Sequence, residues 1–173
     1  MRCVTVIIGI VATLAFAGTA SAGSIEDKAQ EKFVSAQSRG VDVAIDISEK
    51  AFQITKGGTE RGFTLMAGSP TVIQLRNRDD VTHEFVSTLF HDVPFRISGN
   101  ATLIKTARAS GVRLDPGQTV TLEFNAPLAK EDQFGAVESS YDVFWCNVHG
   151  KDHGHKMRGE LLILETRGEI GGG

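Results

Sequence analysis

One short segment of the sequence concentrates side chains that bind metals. Residues 144–157 read FWCNVHGKDHGHKM and hold one cysteine, three of the chain's five histidines and one methionine. Thiolate is a soft ligand and imidazole a borderline one, so one cysteine with two histidines and a more distant thioether suits copper. Cys146 and His149 have the spacing C-x2-H, which lets a tight loop leaving one strand present both side chains to one ion.

A second imidazole has to come from another part of the chain. His83 is the best candidate because it lies in NRDDVTHEF, where a turn is followed at once by an apolar strand. This order puts His83 at one end of a β-sandwich, where a cysteine at the end of a strand would also lie. Met157 comes just before a further predicted strand and offers the thioether.

The amino terminus has the pattern of a secretory signal peptide. A positively charged start, an apolar stretch over residues 4–17 and an Ala-Ser-Ala cleavage pattern ending at Ala22 predict removal of residues 1–22. Cys3 would leave with this segment. Cys146 is then the single cysteine of the exported chain, so no intramolecular disulfide can form, and its thiol is an intermolecular crosslinker, a reactive nucleophile or a metal ligand.

Length and charge limit the remaining classes. A chain of 173 residues is long enough for about one domain with a buried core. The formal net charge of −3 becomes −4 after signal removal, from 17 basic and 21 acidic residues, and does not favour nucleic acid as a partner. We expect no membrane span after signal cleavage, and a monomer.

Alternating hydrophobicity predicts an all-β fold. Apolar residues alternate with polar ones over residues 41–48, the period of a half-buried strand. Turn sequences such as Gly57-Gly58 and Asp115-Pro116-Gly117 separate several further short apolar runs, a spacing typical of a β-sandwich. The other predicted strands cover residues 51–55, 62–66, 71–76, 84–88, 119–124, 141–146 and 160–165.

The predicted organisation has four parts: a signal peptide (1–22), a polar lead-in (23–40), one domain (41–166) and a flexible tail (167–173). Short helices are predicted in the lead-in, where Ser24 and Asp27 resemble a capping box. A further short helix is predicted in the irregular insertion 89–114, near residues 101–109.

Three segments carry a resemblance to a known family: FTLMAGSPTVIQLRNRDDVTHEF, LDPGQTVTLEFNAP and YDVFWCNVHGKDHGHKMRGELLIL. Together they resemble the cupredoxins, the small blue-copper proteins related to plastocyanin and azurin. The resemblance covers roughly residues 41–166 and implies a Greek-key β-sandwich with one type 1 copper ion. The implied ligands are His83, Cys146, His149 and, as the axial ligand, Met157.

The resemblance also implies a function. A copper site of this type is expected to carry one electron at a time between redox partners, such as a c-type cytochrome and a terminal oxidase or reductase. The ligand set has no evident open position for a substrate, so we expect an electron carrier and not an enzyme. The export signal and the lack of a disulfide favour a bacterial periplasm.

The ligand segment departs from the family pattern because Met157 follows His149 at a greater distance than in plastocyanin-like members. Two other ligand sets therefore stay open: His153 in place of His149, or His153 or His155 in place of Met157. On ligand types alone, zinc also stays open. The surplus histidines support an alternative function, a periplasmic copper-handling protein for sequestration, chaperoning or copper tolerance.

A second departure concerns the residues that follow two of the ligands. Many cupredoxins place Asn after the first ligand histidine and Ser or Thr after the cysteine, and a hydrogen bond ties the two loops together. Here these positions are Glu84 and Asn147. We predict that Asn147 donates a hydrogen bond to the Glu84 carboxylate, so that the tie runs in the reverse sense.

Overall fold

The computed structural model describes residues 40–128, 130–131, 137–149 and 154–165. The predicted signal peptide, most of the lead-in and the tail lie outside the described residues. The strands are β1 (Val43–Ser48), β2 (Ala51–Lys56), β3 (Gly62–Met66), β4 (Pro70–Asn77), β5 (His83–Ser87), β6 (Arg96–Gly99), β7 (Thr102–Lys105), β8 (Ser110–Leu114), β9 (Thr119–Asn125), β10 (Lys130–Glu131), β11 (Val137–Glu138), β12 (Ser140–Trp145) and β13 (Arg158–Leu164). The helix α1 (Leu89–Asp92) follows β5, and a 3-10 helix (Gly154–Met157) precedes β13.

Two mixed sheets form a β-sandwich, which confirms the predicted all-β fold. The first sheet has the strand order β2-β1-β4-β9-β6, and the second has the order β3-β13-β12-β5-β8-β7. The strands β10 and β11 form a small separate ribbon. The pairs β1 with β4 and β13 with β3 are parallel, and the other paired strands are antiparallel.

The core lies between the two sheets, as the alternating pattern predicts. In β1, Val43, Ile45 and Ile47 are buried, and the residues between them are only half-buried. Aromatic rings connect the sheets: the ring of Phe52 in β2 lies 5.8 Å from Phe85 and 5.4 Å from Phe144, both in the second sheet. Such edge-on contacts are favourable beyond the burial of apolar area alone.

Two strands of the second sheet lead directly to the predicted ligands. Strand β5 begins at His83 and is buried along its whole length. It pairs with β12, which ends at Trp145, so Cys146 is the first residue beyond that strand. The N–H of Cys146 donates to the carbonyl of Met157 at 3.0 Å, just before β13 begins. This bond closes the base of the loop between β12 and β13.

The insertion between β5 and β9 is more regular than predicted, because it contains the strands β6, β7 and β8. A short helix is present, but it lies at Leu89–Asp92 and buries Leu89 and Phe90. Residues 101–109, where we predicted the helix, contain instead β7, which pairs antiparallel with β8. The location was wrong because residues 102–105 form a hairpin with β8, the next strand along the chain, and this pairing outweighed the weak helical preference of these residues.

None of the helices in the described ranges combines the length and the hydropathy that a membrane-spanning helix needs.

We predict that Gly159→Ala destabilises the sandwich. Gly159 lies opposite Phe144 in the β12–β13 pair, and a Cβ at this position would come within 2.2 Å of Cζ of the Phe144 ring. Because Phe144 is 1% exposed and packed on three sides by other rings, its ring has little room to move. The free energy of unfolding, measured by urea denaturation, should fall by about 1–3 kcal/mol.

The matched control is Gly40→Ala, because a Cβ at Gly40 meets nothing within 4 Å. This variant should change the free energy of unfolding by no more than about 0.5 kcal/mol. Equal unfolding curves for the two variants would contradict the packing described here.

Candidate metal centre

Three side chains with metal-binding atoms meet where β5 begins and β12 ends. These are His83, Cys146 and His149, and one donor atom from each lies within 4.8 Å of the other two. The Sγ of Cys146 lies 3.9 Å from Nδ1 of His149, which in turn lies 3.1 Å from Nδ1 of His83. His83 and Cys146 are fully buried, and His149 is half-buried. The structure thus brings together three of the four residues predicted from the sequence.

The turn before β5 is held by the buried side chain of Asn77. Its amide Nδ2 donates to the carbonyl of Val81 at 2.8 Å and to that of Leu114 at 3.1 Å. Its Oδ1 accepts the N–H of Asp79 at 3.0 Å. These bonds satisfy polar groups of the tight turn and fix the point at which His83 enters the sheet.

The outer nitrogen of His83 has a carboxylate partner. Nε2 of His83 lies 2.8 Å from Oδ2 of Asp79. Burial alone would raise the pKa of Asp79, but the N–H groups of Lys50 and Glu49 together with the His83 imidazole lower this pKa below its ordinary value of 3.8. The ionised carboxylate can only accept, so Nε2 of His83 donates to it, and Nδ1 of His83 lies on the side of His149.

Two backbone bonds hold Cys146 in place. Its Sγ accepts the N–H of Glu84 at 3.3 Å, and its own N–H donates to the carbonyl of Met157 at 3.0 Å. Met157 is fully buried in the same apolar cluster as Cys146. Its role as the fourth ligand stays a prediction, as does the complete ligand set, because His153 and the side chain of His155 lie outside the described residues.

The predicted tie between the two ligand loops is confirmed. Nδ2 of Asn147 donates to Oε2 of Glu84 at 2.9 Å. Arg113 donates to the other carboxylate oxygen from Nε at 3.0 Å and from Nη2 at 2.6 Å. The indole N–H of Trp145 donates to Oδ1 of Asn147 at 2.7 Å. The buried Glu84 carboxylate is therefore bonded on both oxygens.

Sequence reasoning missed the role of Arg113, because it depends on the pairing of β5 with β8. In that register Glu84 lies opposite Arg113. Their separation along the chain is 29 residues, so no local pattern connects them. The sequence did contain one indication of such a partner. Glu84 is a carboxylate in a mostly apolar strand, and a buried carboxylate needs a cationic partner.

The spacing of the three donor atoms fits one metal ion. Nitrogen ligands lie about 2.0 Å and a thiolate about 2.3 Å from such ions, so two nitrogens can be at most about 4 Å apart and a sulfur at most about 4.3 Å from either nitrogen. The separations of 3.1 Å between the two histidine nitrogens and 3.9 Å between Cys146 and His149 are below these limits, and Cys146 and His83 lie within 4.8 Å of each other. The cluster can therefore hold a metal ion, and its mixture of thiolate and imidazole suits copper.

Comparison with known proteins returns similar solved structures only. No protein-family model matches the chain, and no curated protein is significantly similar to it in sequence. A mutant of amicyanin in the Cu(I) state is 14% identical, with a TM-score of 0.40 over 75% of this chain and 89% of that chain. The McoA multicopper oxidase from the hyperthermophile Aquifex aeolicus is 12% identical, with a TM-score of 0.47 over 70% of this chain and 28% of that chain.

One expectation has to be corrected in view of these structures. The expectation that the protein is not an enzyme is withdrawn, because the similar structures include a multicopper oxidase as well as amicyanin. At these identities and TM-scores the alignments carry no argument about activity in either direction. The two-sheet sandwich and the cluster of His83, Cys146 and His149 confirm the cupredoxin-like architecture predicted from the sequence.

Proposed function

We propose that the protein is an exported type 1 copper protein that carries single electrons between redox partners. The observation that best supports this proposal is the convergence of His83, Cys146 and His149 on one small volume at the end of the sandwich. These residues would bind the ion, and Met157 would be the fourth and weaker ligand. Copper held by one thiolate and two imidazoles supplies reversible one-electron chemistry.

The surrounding hydrogen bonds hold two of the proposed ligands in fixed positions. The N–H of Glu84 fixes the cysteine sulfur, and the Asp79 carboxylate fixes the ring of His83. Both ligands are fully buried, so neither can swing into solvent without opening the core. Ligands held in this way have little to reorganise when the charge of the site changes, and this favours rapid electron transfer.

His149 offers the route between the site and a partner. It is half-buried, while His83 and Cys146 are fully buried. The neighbouring Val148 is an exposed apolar residue, with 45% of its surface accessible. A partner that contacts this surface would come within reach of the His149 ring. We propose a redox protein such as a c-type cytochrome or a terminal oxidase or reductase, in the periplasm to which residues 1–22 would direct the chain.

The first test is an optical and EPR spectrum of the exported chain loaded with one equivalent of Cu(II). We expect an intense thiolate-to-copper band and a narrow hyperfine splitting, because a covalent bond to thiolate produces both. Cys146→Ser should abolish the band, since serine leaves a hydroxyl in place of the thiol. His91→Ala is the control, because His91 lies on α1 and is not part of the cluster.

A pale copper spectrum that Cys146→Ser leaves unchanged would contradict the proposal. In that case copper binds through histidines without the thiolate. Binding of more than one copper per chain, or ready release to a chelator, would favour the alternative of copper handling over electron transfer.

We predict that Glu84→Ala weakens copper retention. The change removes the acceptor of both Arg113 and Asn147, and Asn147 follows Cys146 directly. Loss of a group that orients metal ligands typically lowers metal affinity by about 10–100-fold. The affinity for Cu(II) can be measured by competition with a chelator of known strength.

Glu123→Gln is the matched control for this measurement. Glu123 is also a buried glutamate in a strand, at 4% exposure, but it lies on β9 in the other sheet. Its replacement should leave copper affinity at the level of the unaltered protein. If Glu84→Ala also retains that level, Glu84 does not support the site.

A further inference from the structure

The carboxylate of Asp79 connects His83 to the turn between β1 and β2. Its Oδ1 accepts the N–H of Glu49 at 2.7 Å. Its Oδ2 accepts the N–H of Lys50 at 2.9 Å and lies 2.8 Å from Nε2 of His83. The side chain of Asp79 thus accepts hydrogen bonds from two backbone N–H groups of a turn and contacts the ring of a proposed ligand.

We propose that Asp79 is a positioning residue of the metal centre, which selects the ring form of His83 and places a fixed negative charge behind that ring. The proposal rests on the proposed copper site. It goes beyond that site by assigning a role to a residue that binds no metal itself.

The turn that contacts Asp79 has an unusual backbone. Glu49 and Lys50 adopt φ angles of 55° and 52°, in the left-handed region that favours glycine. They are the two loop residues of the hairpin, since Ser48 pairs with Ala51. A two-residue hairpin of type I′ needs positive φ at both positions, which Asn-Gly normally supplies. Here two residues with side chains take this conformation, and their N–H groups converge on the Asp79 carboxylate.

Backbone hydrogen bonds of Asp79 and its neighbour Arg78 also fix the position of this carboxylate. Its N–H donates to Oδ1 of the buried Asn77 at 3.0 Å. The next residue back, Arg78, donates its N–H to the carbonyl of Ile47 at 2.8 Å. The carboxylate therefore has a defined position that does not depend on its bond to His83.

This fixed carboxylate has two consequences for His83. The carboxylate accepts a proton-bearing nitrogen only, so it favours the tautomer in which Nε2 carries the proton and Nδ1 is free to bind a metal. Its negative charge also favours the more positive oxidation state of an ion bound at Nδ1. The second effect lowers the reduction potential relative to a site that lacks this charge.

The test begins with Asp79→Asn and nitrogen NMR of the metal-free protein, at a pH well above the ordinary histidine pKa of about 6.5. In the unaltered protein, we expect His83 in a single form with the proton on Nε2. In Asp79→Asn, we expect a mixture of both tautomers. The single amide oxygen of asparagine cannot accept hydrogen bonds from both the turn and His83, as the two carboxylate oxygens do.

The copper-loaded protein gives the second measurement. We expect Asp79→Asn to shift the equilibrium between Cu(II) and Cu(I) toward Cu(I) by about tenfold, which equals about 59 mV for a one-electron couple. A potential and a tautomer that both stay unchanged would overturn the proposal.

The control separates an effect on His83 from an effect on the turn. The double variant Glu49→Gly with Lys50→Gly keeps both N–H donors and accepts the left-handed conformation without strain. It should leave the tautomer and the potential unchanged, and it should help Asp79→Asn to fold when the changes are combined. If the combined variant regains the original tautomer and potential, Asp79 acts only through the turn and the proposal fails.

The two measurements also distinguish this proposal from the proposed function. If the unaltered protein gives no thiolate-to-copper band, the copper function fails, and the tautomer of the metal-free protein still decides whether Asp79 orients His83. If that band is present and Asp79→Asn changes nothing, only the role of Asp79 fails.

Discussion

The pairing of β5 with β12 is the interaction on which the candidate metal centre depends. Trp145 at the end of β12 lies opposite Val86, so the antiparallel pairing directs the chain that leaves β12 at Cys146 toward the beginning of β5 at His83. The bond from the N–H of Glu84 to the sulfur of Cys146 spans 62 residues of sequence and lies just beyond the paired segment. A shift of this pairing by one residue would turn the side chains of β5 to opposite faces and separate the donors.

Two polar side chains of the site, His83 and Glu84, are buried, and the structure gives each of them a partner. His83 has Asp79, and Glu84 has Arg113 and Asn147. Burial of such groups without partners would cost more than the fold can recover from apolar contacts nearby. The hydrogen bonds that make burial possible are the same bonds that orient the ring of His83 and the sulfur of Cys146. Stability and ligand geometry therefore depend on one set of contacts.

Local patterns in the sequence were sufficient to predict the fold class and part of the candidate site. Alternating residues located β1 and most long strands, and the types of side chain located the cluster. The tie from Asn147 to Glu84 followed from comparison with the resembling family and is confirmed. Arg113 and the turn contact of Asp79 were missed because both depend on register between distant strands, which no short window of sequence records. The strand β7 was taken for a helix although it pairs with the next strand along the chain, because its short run of residues has no clear alternation.

The most direct test of the account is a crystal structure of the protein loaded with one equivalent of copper, with anomalous diffraction used to locate the metal. We expect one copper position bonded to Sγ of Cys146 and to Nδ1 of both His83 and His149. A copper position bound by His153 or His155 and remote from the Cys146 sulfur would contradict it.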